Sequence, residues 1–389
     1  MALVNRTNAH PAMPLLIVRD SLGIGGAETM LASVVNRLDQ ARFHTTVLSL
    51  HTCNPMAAAI RQGAADLIEV PRKWRYDLSP ALKIRRIVQS LAIREVLCFG
   101  FYEFFFTRVA MLGMRVRPRI AVSIHSMARR AVKSSLQSRL YAGMLTGEEN
   151  LISVCDAQAD DWSAAYRIPR RSFTTIYNGV DTEFFSPDSM EKAGLSTRRQ
   201  LGIPEGAFVI VMVARFHQFK QHEVALRALR LLLSRSKEDD PPAYLLLVGN
   251  GSPERETSLR RMVADLEIRE RVVFCGSQSD VRPFLSAANL FTLTSSSESF
   301  PVSSLEAMSM GLPVVLTDVG GAGEQTVDGL SGLLVPPGDE SRVAAAWGRV
   351  RQNRDVFDRR AIREFVIRRF AVDTCVRQYE AILAAGHLT

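Results

Sequence analysis

Cysteine is scarce in this sequence, and no two cysteines stand close together. The five thiols are scattered singly over 389 residues, at Cys53, Cys98, Cys155, Cys275 and Cys375. Zinc knuckles and dithiol redox sites need closely spaced pairs, so neither kind of site is expected. The simplest interpretation is a set of reduced thiols in a cytoplasmic protein.

Long hydrophobic runs are also missing. The longest stretch without a charged residue runs from Phe43 to Ile60 and contains two histidines, an asparagine and a proline. No segment is therefore expected to span a bilayer. The first residues, MALVNRTNAHPAM, have no apolar core, so no secretory signal is expected.

The net charge of +8 is distributed unevenly between the two halves of the chain. Residues 1–190 hold 23 Lys and Arg against 16 Asp and Glu, whereas the remaining 199 residues hold 25 against 24. The basic runs of the first half could form a face for anionic lipid headgroups or another polyanion, or they could be solvated helix faces. The runs are PRKWR (71–75), KIRR (83–86), RVRPR (115–119) and ARRAVK (128–133).

Short apolar runs alternate with amphipathic stretches in each half of the chain. Runs such as PLLIV (14–18) in the first half and AFVIVMVA (207–214) in the second are typical of buried parallel strands. We therefore expect an α/β protein with two doubly wound domains, joined near residues 186–199, and a ligand cleft between them. The expected domains are 1–190 and 191–370, with 371–389 as a C-terminal helix that packs back on the first.

The stretch SLGIGGAETM (21–30) follows the first strand, but it does not match a dinucleotide-binding turn. Gly23 and Gly25 fit the first two glycines of G-x-G-x-x-G, while the third position falls on Glu28. The next strand also lacks the acidic residue that would hold a ribose. Gly25 and Gly26 still expose backbone N–H groups where a helix begins, which favours a weak anion site or simply a tight turn.

Residues suited to a nucleotide diphosphate follow the strands of the second half. Arg215 and Lys220 offer a guanidinium fork and a point charge for phosphate oxygens, and Gly249 allows close backbone approach. In SSSESFPVSSLEAMSMGLPVV (295–315), Pro301, which has no N–H group of its own, can be the first residue of a helix, which would leave free N–H groups near residues 299–302. Glu306, about one turn into that helix, is suited to bind vicinal sugar hydroxyls.

The pair Glu298 and Glu306, with seven residues between them, resembles the E-x7-E signature of the nucleotide-sugar glycosyltransferases of family 4, which have the GT-B fold. The resemblance extends over most of the chain, through GIGGAE, VSIHS, YNGVD, VGNG, VVFCG and VGGAGEQTVDGLSGLLVPPGD. Family members often read G-R-x-x-x-x-K-G, whereas Ala214 and Gln221 replace the flanking glycines here, so the loop conformation does not transfer directly.

The resemblance implies a role for each matching position. Arg215 and Lys220 would bind the donor diphosphate, Glu306 the ribose, Glu298 the hydroxyls of the transferred sugar, and His125 would face that sugar. The remaining positions would line the donor: Gly25 and Gly26 from the first domain, Gly249, the base-binding segment with Phe274 and Cys275, and the amides of Ser299, Phe300, Pro301 and Val302.

The family also implies retention of anomeric configuration, with a donor phosphate oxygen taking the acceptor proton. Metal-dependent transferases use an Asp-x-Asp pair to hold a cation on the diphosphate, and no such triplet occurs in this chain. We therefore expect a metal-independent enzyme without a cofactor, whose fixed cations and helix end stabilise the leaving group. Glycosidases hold two catalytic carboxylates at a characteristic distance from each other. That distance is not expected here, because Glu298 would orient sugar hydroxyls rather than protonate a leaving oxygen.

The expected function is transfer of a hexosyl group from a UDP- or GDP-sugar to a hydroxyl of a glycan or a lipid-linked acceptor, in cell-surface polysaccharide or glycolipid synthesis. The expected location is cytoplasmic, with peripheral contact with an anionic membrane left open. The main alternative is a catalytically inactive scaffold that binds sugar nucleotides. A nucleic-acid binder lacks support, because the arginines are not interleaved with aromatics in a recognisable module. Among enzymes of similar architecture, a UDP-sugar epimerase remains a rival, and a phosphorylase would need a longer chain.

Overall fold

The structure is a computed structural model. It describes residues 12–385 except 24, 53, 62–64, 75, 76, 129–134, 189, 354 and 355. Cys53 and most of the basic run at 128–133 lie outside the described residues. Among the described helices, none has both the length and the apolar character needed to cross a membrane.

The first half of the chain forms a seven-stranded parallel sheet with the strand order β3-β2-β1-β4-β5-β6-β7. The interior strand β1 is buried from Leu15 to Val18, so both faces of the sheet are covered. The strands are β1 (Met13–Arg19), β2 (Phe43–Ser49), β3 (Asp66–Glu69), β4 (Glu95–Cys98), β5 (Arg119–Ile124), β6 (Asn150–Ser153) and β7 (Phe173–Thr175).

The second half forms a six-stranded parallel sheet with the strand order β10-β9-β8-β11-β12-β13. Its core is equally apolar, because Val209, Ile210 and Val211 of β8 have no exposed surface. Burial of each such side chain stabilises the fold by about 1.5–3 kcal/mol. The strands are β8 (Phe208–Val213), β9 (Ala243–Val248), β10 (Val272–Gly276), β11 (Leu290–Leu293), β12 (Val314–Thr317) and β13 (Gly332–Val335).

Helices connect the strands, so that the predicted α/β class and doubly wound architecture are confirmed. In the first half they are α1 (Gly26–Arg37), α2 (Ala57–Arg61), α3 (Ser79–Ser90), α4 (Phe101–Ala110), α5 (Ser135–Gly143) and α6 (Asp156–Tyr166). In the second half they are α7 (Glu191–Gln200), α8 (His222–Ser234), α9 (Pro253–Asp265), α10 (Arg282–Ser286), α11 (Val302–Ser309), α12 (Ala322–Gln325), α13 (Glu340–Gln352), α14 (Arg359–Phe370) and α15 (Val372–Ala384).

The strand order reverses at one point in each sheet, between β1 and β4 and between β8 and β11. Loops that follow the carboxyl ends of strands on either side of such a point diverge and leave a crevice. The turn with Gly25 follows β1, the loop with Arg215 follows β8, and the loop with Glu298 follows β11. Most of the predicted site residues therefore lie in these loops or at the start of the helices that follow them.

The last helix, α15, packs against the first sheet. Val376, Tyr379 and Leu383 share one buried cluster with Leu15 and Ile17 of β1. The chain enters this helix beside Gly179, where a built Cβ atom would lie 2.5 Å from the Cα atom of Val372. Only glycine fits at that position, because the two backbones cross in direct contact.

The polar stretch near 186–199, which the sequence suggested as a junction, is mostly a packed helix. Residues 191–200 form α7, and a Cβ atom built at Gly194 would lie 2.6 Å from the hydroxyl oxygen of Ser286. Arg198 donates hydrogen bonds to the carbonyl oxygen of Ala287 and to the side chain of Asn289. A low content of apolar residues hid this helix, since glycine and arginine make its contacts.

Candidate active site

The beginnings of α1 and α11 face each other across the two halves of the chain. A Cβ atom built at Gly26 would lie 3.6 Å from the Cγ2 atom of Val302. Gly25 is the N-cap of α1, as its sequence context predicts. Pro301 is the N-cap of α11 rather than its first residue, one position from the prediction. Free N–H groups and positive helix ends therefore converge here, and both favour an anion.

Lys220 and Glu298 form an ion pair beside the beginning of α11. The ammonium nitrogen of Lys220 lies 2.5 Å from Oε1 of Glu298, and the hydroxyl of Ser295 donates to the same oxygen at 2.6 Å. The loops that carry the pair are also joined, because the N–H of Ser296 donates to the carbonyl oxygen of Phe219 at 2.8 Å. The predicted cation and the predicted carboxylate are thus held in one rigid unit.

Arg215 lies on an exposed turn that is shaped by the loop after β9. The N–H of Phe216 donates to the carbonyl oxygen of Asn250 at 2.7 Å. Gly249 has a φ of +143°, and a Cβ atom built on it would lie 2.1 Å from the carbonyl oxygen of Ala214. Glycine is therefore required at 249 for both conformation and space. The Arg215 guanidinium makes no ion pair with another residue that the structure describes, so it is available to a ligand.

Glu306 lies in α11 and is half-buried. Burial raises the pKa of its carboxyl group to about 7. Within the described residues it forms neither a salt bridge nor a hydrogen bond through its side chain. A carboxylate with these properties can accept hydrogen bonds from hydroxyl groups of a ligand that enters the cleft.

His125 follows β5 and is held by contacts on three sides. Its Nε2 atom lies 2.9 Å from the hydroxyl oxygen of Ser123, which in turn lies 2.7 Å from the hydroxyl of Tyr379 in α15. Its ring stacks on Phe99 with 5.0 Å between centroids. Burial, assisted by the charge of Arg19, lowers the pKa of His125 to about 3. The imidazole is therefore neutral near pH 7 and can act through a hydrogen bond rather than a charge.

The segment from Phe274 to Gly276 forms the end of edge strand β10. The Phe274 ring is half-buried between Phe216 and the guanidinium of Arg260, which lies 4.2 Å from its centroid. Burial raises the pKa of the Cys275 thiol to about 12, so it is not a nucleophile near pH 7. The segment lies next to Gly249, whose N–H donates to the carbonyl oxygen of Gly276 at 2.8 Å.

The loop before α11 is attached to the first half of the chain. The hydroxyl of Ser299 donates to the carbonyl oxygen of His125 at 3.2 Å, and the side-chain amide of Asn178 donates to the carbonyl oxygen of Phe300 at 2.9 Å. The Phe300 ring is buried and stacks on Tyr177. Phe300 can therefore serve the site only through its backbone, whereas its side chain belongs to the core.

A second connection joins the halves through Glu324 of α12. Its two carboxylate oxygens accept hydrogen bonds from the N–H groups of Asp156 and Ala157, at 2.9 and 2.8 Å. These are the first N–H groups of α6, so a carboxylate from the second half caps a helix of the first. The sequence analysis assigned no role to Glu324, although it lies within the stretch VGGAGEQTVDG.

A buried ion network under the Gly25 turn was also missed. The guanidinium of Arg19 contacts Glu28 at 2.5 Å and Glu103 at 3.1 Å, and it donates to the carbonyl oxygen of Phe99 at 2.6 Å. Burial raises the pKa of Glu103, although Arg19 opposes that shift. The network ties the first turns of α1 and α4 to the end of β1. The signal in the sequence was an arginine directly after the apolar run PLLIV (14–18).

Two protein-family models match the chain. The model described as Glycosyltransferase Family 4 matches residues 24–184, and the model described as Glycosyl transferases group 1 matches residues 195–364. Between them the two models cover most of the chain, including every predicted site residue.

Similar proteins of known name are also glycosyltransferases. D-inositol 3-phosphate glycosyltransferase of Acidothermus cellulolyticus is 36% identical over 217 residues, which are 52% of this chain and 47% of that protein. N-acetyl-alpha-D-glucosaminyl L-malate synthase of Bacillus anthracis is 31% identical over 217 residues, which are 55% of this chain and 54% of that protein. The chain spans about half the length of the curated relatives that it matches.

Solved structures with the GT-B fold match nearly the whole chain. The Anabaena protein HepE, in complex with UDP-glucose, superposes with a TM-score of 0.83 and 20% identity, over 96% of this chain and 100% of that one. A glycosyltransferase from Rickettsia africae superposes with a TM-score of 0.82 and 18% identity, over 97% of this chain and 99% of that one. At these identities the likeness establishes the fold, and the predicted GT-B architecture is confirmed.

Proposed function

We propose that this chain, which belongs to the glycosyltransferases of family 4, transfers a hexosyl group from a UDP- or GDP-sugar to a hydroxyl of a glycan or a lipid-linked acceptor. The observation that supports this proposal most is the close approach of Gly26 and Val302, with the Lys220–Glu298 pair at the same helix end. Two positive helix ends and the cations Arg215 and Lys220 would surround the diphosphate. They would stabilise the negative charge that develops on it as its bond to the sugar breaks.

The donor would lie along the second half of the chain. Arg215 and Lys220 would bind the diphosphate, Glu306 the ribose, and the segment 274–276 the base. Glu298 would hold hydroxyls of the sugar, because Lys220 and Ser295 already fix its orientation. Gly25 and Gly26 would contact the phosphates from the first half of the chain. Gly249 and the backbone of residues 299–302 would line the donor from the second half.

The chemical step would break the bond between the anomeric carbon and the diphosphate oxygen, and would form a bond from that carbon to the acceptor oxygen. Attack from the side of the leaving group would retain the configuration, and a donor phosphate oxygen would take the acceptor proton. His125 is neutral near pH 7 and would donate or accept a hydrogen bond at the transferred sugar. No bound metal is needed in this scheme, because Arg215, Lys220 and two helix ends carry the electrostatic load.

The acceptor would enter from the first half of the chain. A role in cell-surface polysaccharide or glycolipid synthesis, on the cytoplasmic side of an anionic membrane, is supported by the basic character of residues 1–190. The relatives named for transfer to D-inositol 3-phosphate and for synthesis of an L-malate conjugate make small acceptors a useful comparison.

Thermal unfolding with a panel of UDP- and GDP-sugars tests donor binding directly. A ligand at a hundredfold excess over its Kd stabilises the folded state by about 2.7 kcal/mol, so the correct donor should raise the melting temperature and the others should not. Release of the free nucleotide, with or without acceptors, then separates an enzyme from an inactive scaffold. Binding without release under any condition would favour the scaffold, and a panel without any shift would contradict both.

A further inference from the structure

Much of the basic character of the first half lies in residues 71–94 and 111–119, and we call the surface formed by their described residues the basic face. These two segments contain ten Lys and Arg residues but a single carboxylate, that of Asp77. That carboxylate is turned inward, where it accepts hydrogen bonds from the N–H groups of Lys73 and Ser79 at 2.8 Å. The two segments therefore carry a large excess of positive charge, although the Asp77 carboxylate interacts electrostatically with Lys73.

The two segments of the basic face lie side by side. Helix α3 packs against α4, and the Arg85 guanidinium donates to the carbonyl oxygen of Leu112, just after α4, at 2.7 Å. Large apolar side chains project from both segments. Leu78 and Leu82 are 50% and 63% exposed, while Leu112 and Val116 are 61% and 83% exposed. Such side chains are costly to leave in water, and their clustering marks an interaction surface.

Six cations belong to the same two segments as these apolar side chains. They are Lys73, Lys83, Arg86, Arg94, Arg115 and Arg117, all of them exposed. None forms an ion pair with another residue within the described part of the chain. Arg72 and Arg119 differ, since they pair with Asp20 and Glu95 and so support the fold. Of the six exposed cations, Arg117 donates a local hydrogen bond to the carbonyl oxygen of Met114 at 3.3 Å.

We propose that the basic face docks this protein on an anionic lipid bilayer, with the aliphatic side chains at the acyl boundary and the cations at the headgroups. Interfacial attachment combines buried apolar area with Lys and Arg, each worth about 1 kcal/mol near an anionic surface. A nucleic acid would gain from stacking on aromatics, but among the described residues of the basic face Trp74 is the one exposed aromatic, beside five exposed aliphatic side chains. Aliphatic groups fit a bilayer instead.

The basic face also extends to the edge of the sheet where the candidate active site lies. The loop with Lys73 and Trp74 follows β3, so it lies at the carboxyl ends of the strands, as do the turn with Gly25 and the residue His125. Arg94 and Arg115 precede β4 and β5 and so lie toward the opposite edge, which means that the basic face runs along α3 across the sheet. A protein docked on this face would hold both edges, including the one with the candidate site, beside the bilayer. The functional use of this position rests on the proposed function, because it would present a lipid-linked acceptor to the cleft.

Sedimentation of the full chain with vesicles tests the proposal. Vesicles of phosphatidylcholine containing phosphatidylglycerol should bind the protein at low salt, while pure phosphatidylcholine should bind it weakly. Lys83→Gln/Arg86→Gln should weaken binding to the anionic vesicles by roughly thirtyfold, and Leu82→Ser/Leu112→Ser should weaken it at every salt concentration. The matched control is Arg230→Gln/Arg235→Gln, which removes two exposed cations from the second half and should bind like the wild type.

The outcomes separate this proposal from the proposed function. Donor-induced thermal shifts should be equal in the wild type and in all three double variants, which also shows that each is folded. Wild-type protein that does not bind anionic vesicles, or a control that loses binding as much as Lys83→Gln/Arg86→Gln, would overturn the docking face. Tighter binding to a single-stranded oligonucleotide, unchanged in Leu82→Ser/Leu112→Ser, would overturn it in favour of a polyanion site.

Discussion

The ammonium nitrogen of Lys220 lies 2.5 Å from a carboxylate oxygen of Glu298, although 78 residues separate them in sequence. The two groups come from loops after different strands, β8 and β11, which are neighbours in the second sheet. Each limits the rotamers of the other, and Ser295 fixes the carboxylate further. In the proposed site this contact orients two groups. It holds the Lys220 charge that would bind the diphosphate, and it holds the Glu298 carboxylate that would accept hydrogen bonds from hydroxyls of the sugar.

Replacement of Lys220 by alanine should slow the reaction strongly. The substitution removes one charge-assisted contact to the leaving group, which we expect to cost about 2–4 kcal/mol in transition-state stabilisation. That cost corresponds to a decrease of roughly thirtyfold to a thousandfold in kcat/KM. The control is Lys192→Ala, at an exposed position of α7, which should leave kcat/KM unchanged. Equal rates for wild type and Lys220→Ala would remove Lys220 from the site.

Donor affinity should depend on the titration of Glu306. Burial raises the pKa of this carboxyl to about 7, so it is mostly protonated at about pH 6 and mostly ionised at about pH 8. Ribose hydroxyls donate to the ionised form, hence affinity for the donor should increase across that range. Calorimetric titrations of the wild type and of Glu306→Gln would measure this, and the variant should show a flatter profile. Parallel profiles would contradict the ribose role.

The same shift has a consequence for stability with the opposite sign. The folded chain holds the Glu306 proton more tightly than the unfolded chain, in which the carboxyl has its ordinary pKa of 4.5. The contribution of this group to the free energy of unfolding therefore falls as the pH rises from about 4.5 to about 7. Denaturant unfolding should show Glu306→Gln gaining stability relative to the wild type at about pH 8, and losing that advantage at about pH 4.

Much of the fold follows from local patterns in the sequence. The runs that became β1 and β8 are apolar throughout, because parallel strands are covered on both faces, and glycine or proline marks the beginnings of α1 and α11. Arg215, Lys220 and Glu298 could be named because they follow strands at the edge where ligands bind. Each loop could be recognised separately in the sequence, whereas the contact between Lys220 and Glu298 is seen only in the folded chain.

The supporting contacts could not be predicted, since they depend on residues far apart in sequence. The contact between Ser123 and Tyr379 spans 256 residues, and that between Arg19 and Glu103 spans 84. Nothing local distinguishes Tyr379 from other buried tyrosines. Glu324 presents the same difficulty. The sequence around it does not show whether its carboxylate caps a helix of the second half or, as found, a helix of the first half.

Removal of the Glu324 carboxylate should weaken the connection between the two halves. Glu324→Ala leaves the N–H groups of Asp156 and Ala157 without their partner, and loss of a helix cap costs about 1 kcal/mol. Denaturant unfolding should show this decrease, and Glu324→Gln should recover part of it because an amide oxygen still accepts. The exposed Glu205→Ala serves as a control. Unchanged stability of Glu324→Ala would show that the cap contributes nothing.

Chelation of metal ions should leave turnover intact. The proposed site neutralises the leaving diphosphate with Arg215, Lys220 and helix ends, so a divalent cation has no necessary part. Initial rates measured with EDTA and with added Mg²⁺ or Mn²⁺ should agree within about twofold, which is less than 0.5 kcal/mol in activation free energy. A strict requirement for either ion would contradict this part of the mechanism.

The most direct test of the donor site is a side chain placed between α1 and α11. A Cβ atom at Gly26 would lie 3.6 Å from Val302, so the larger side chain of Gly26→Val would press on the beginning of α11 and narrow the space proposed for the diphosphate beside it. Gly143→Val is the matched control, because a Cβ atom at Gly143 meets no atom within 4 Å among the described residues. Calorimetric titration with the sugar nucleotide selected by thermal shift should show binding to the wild type and Gly143→Val but none to a folded Gly26→Val. Equal affinity in all three proteins would contradict a nucleotide-sugar site between these two helices.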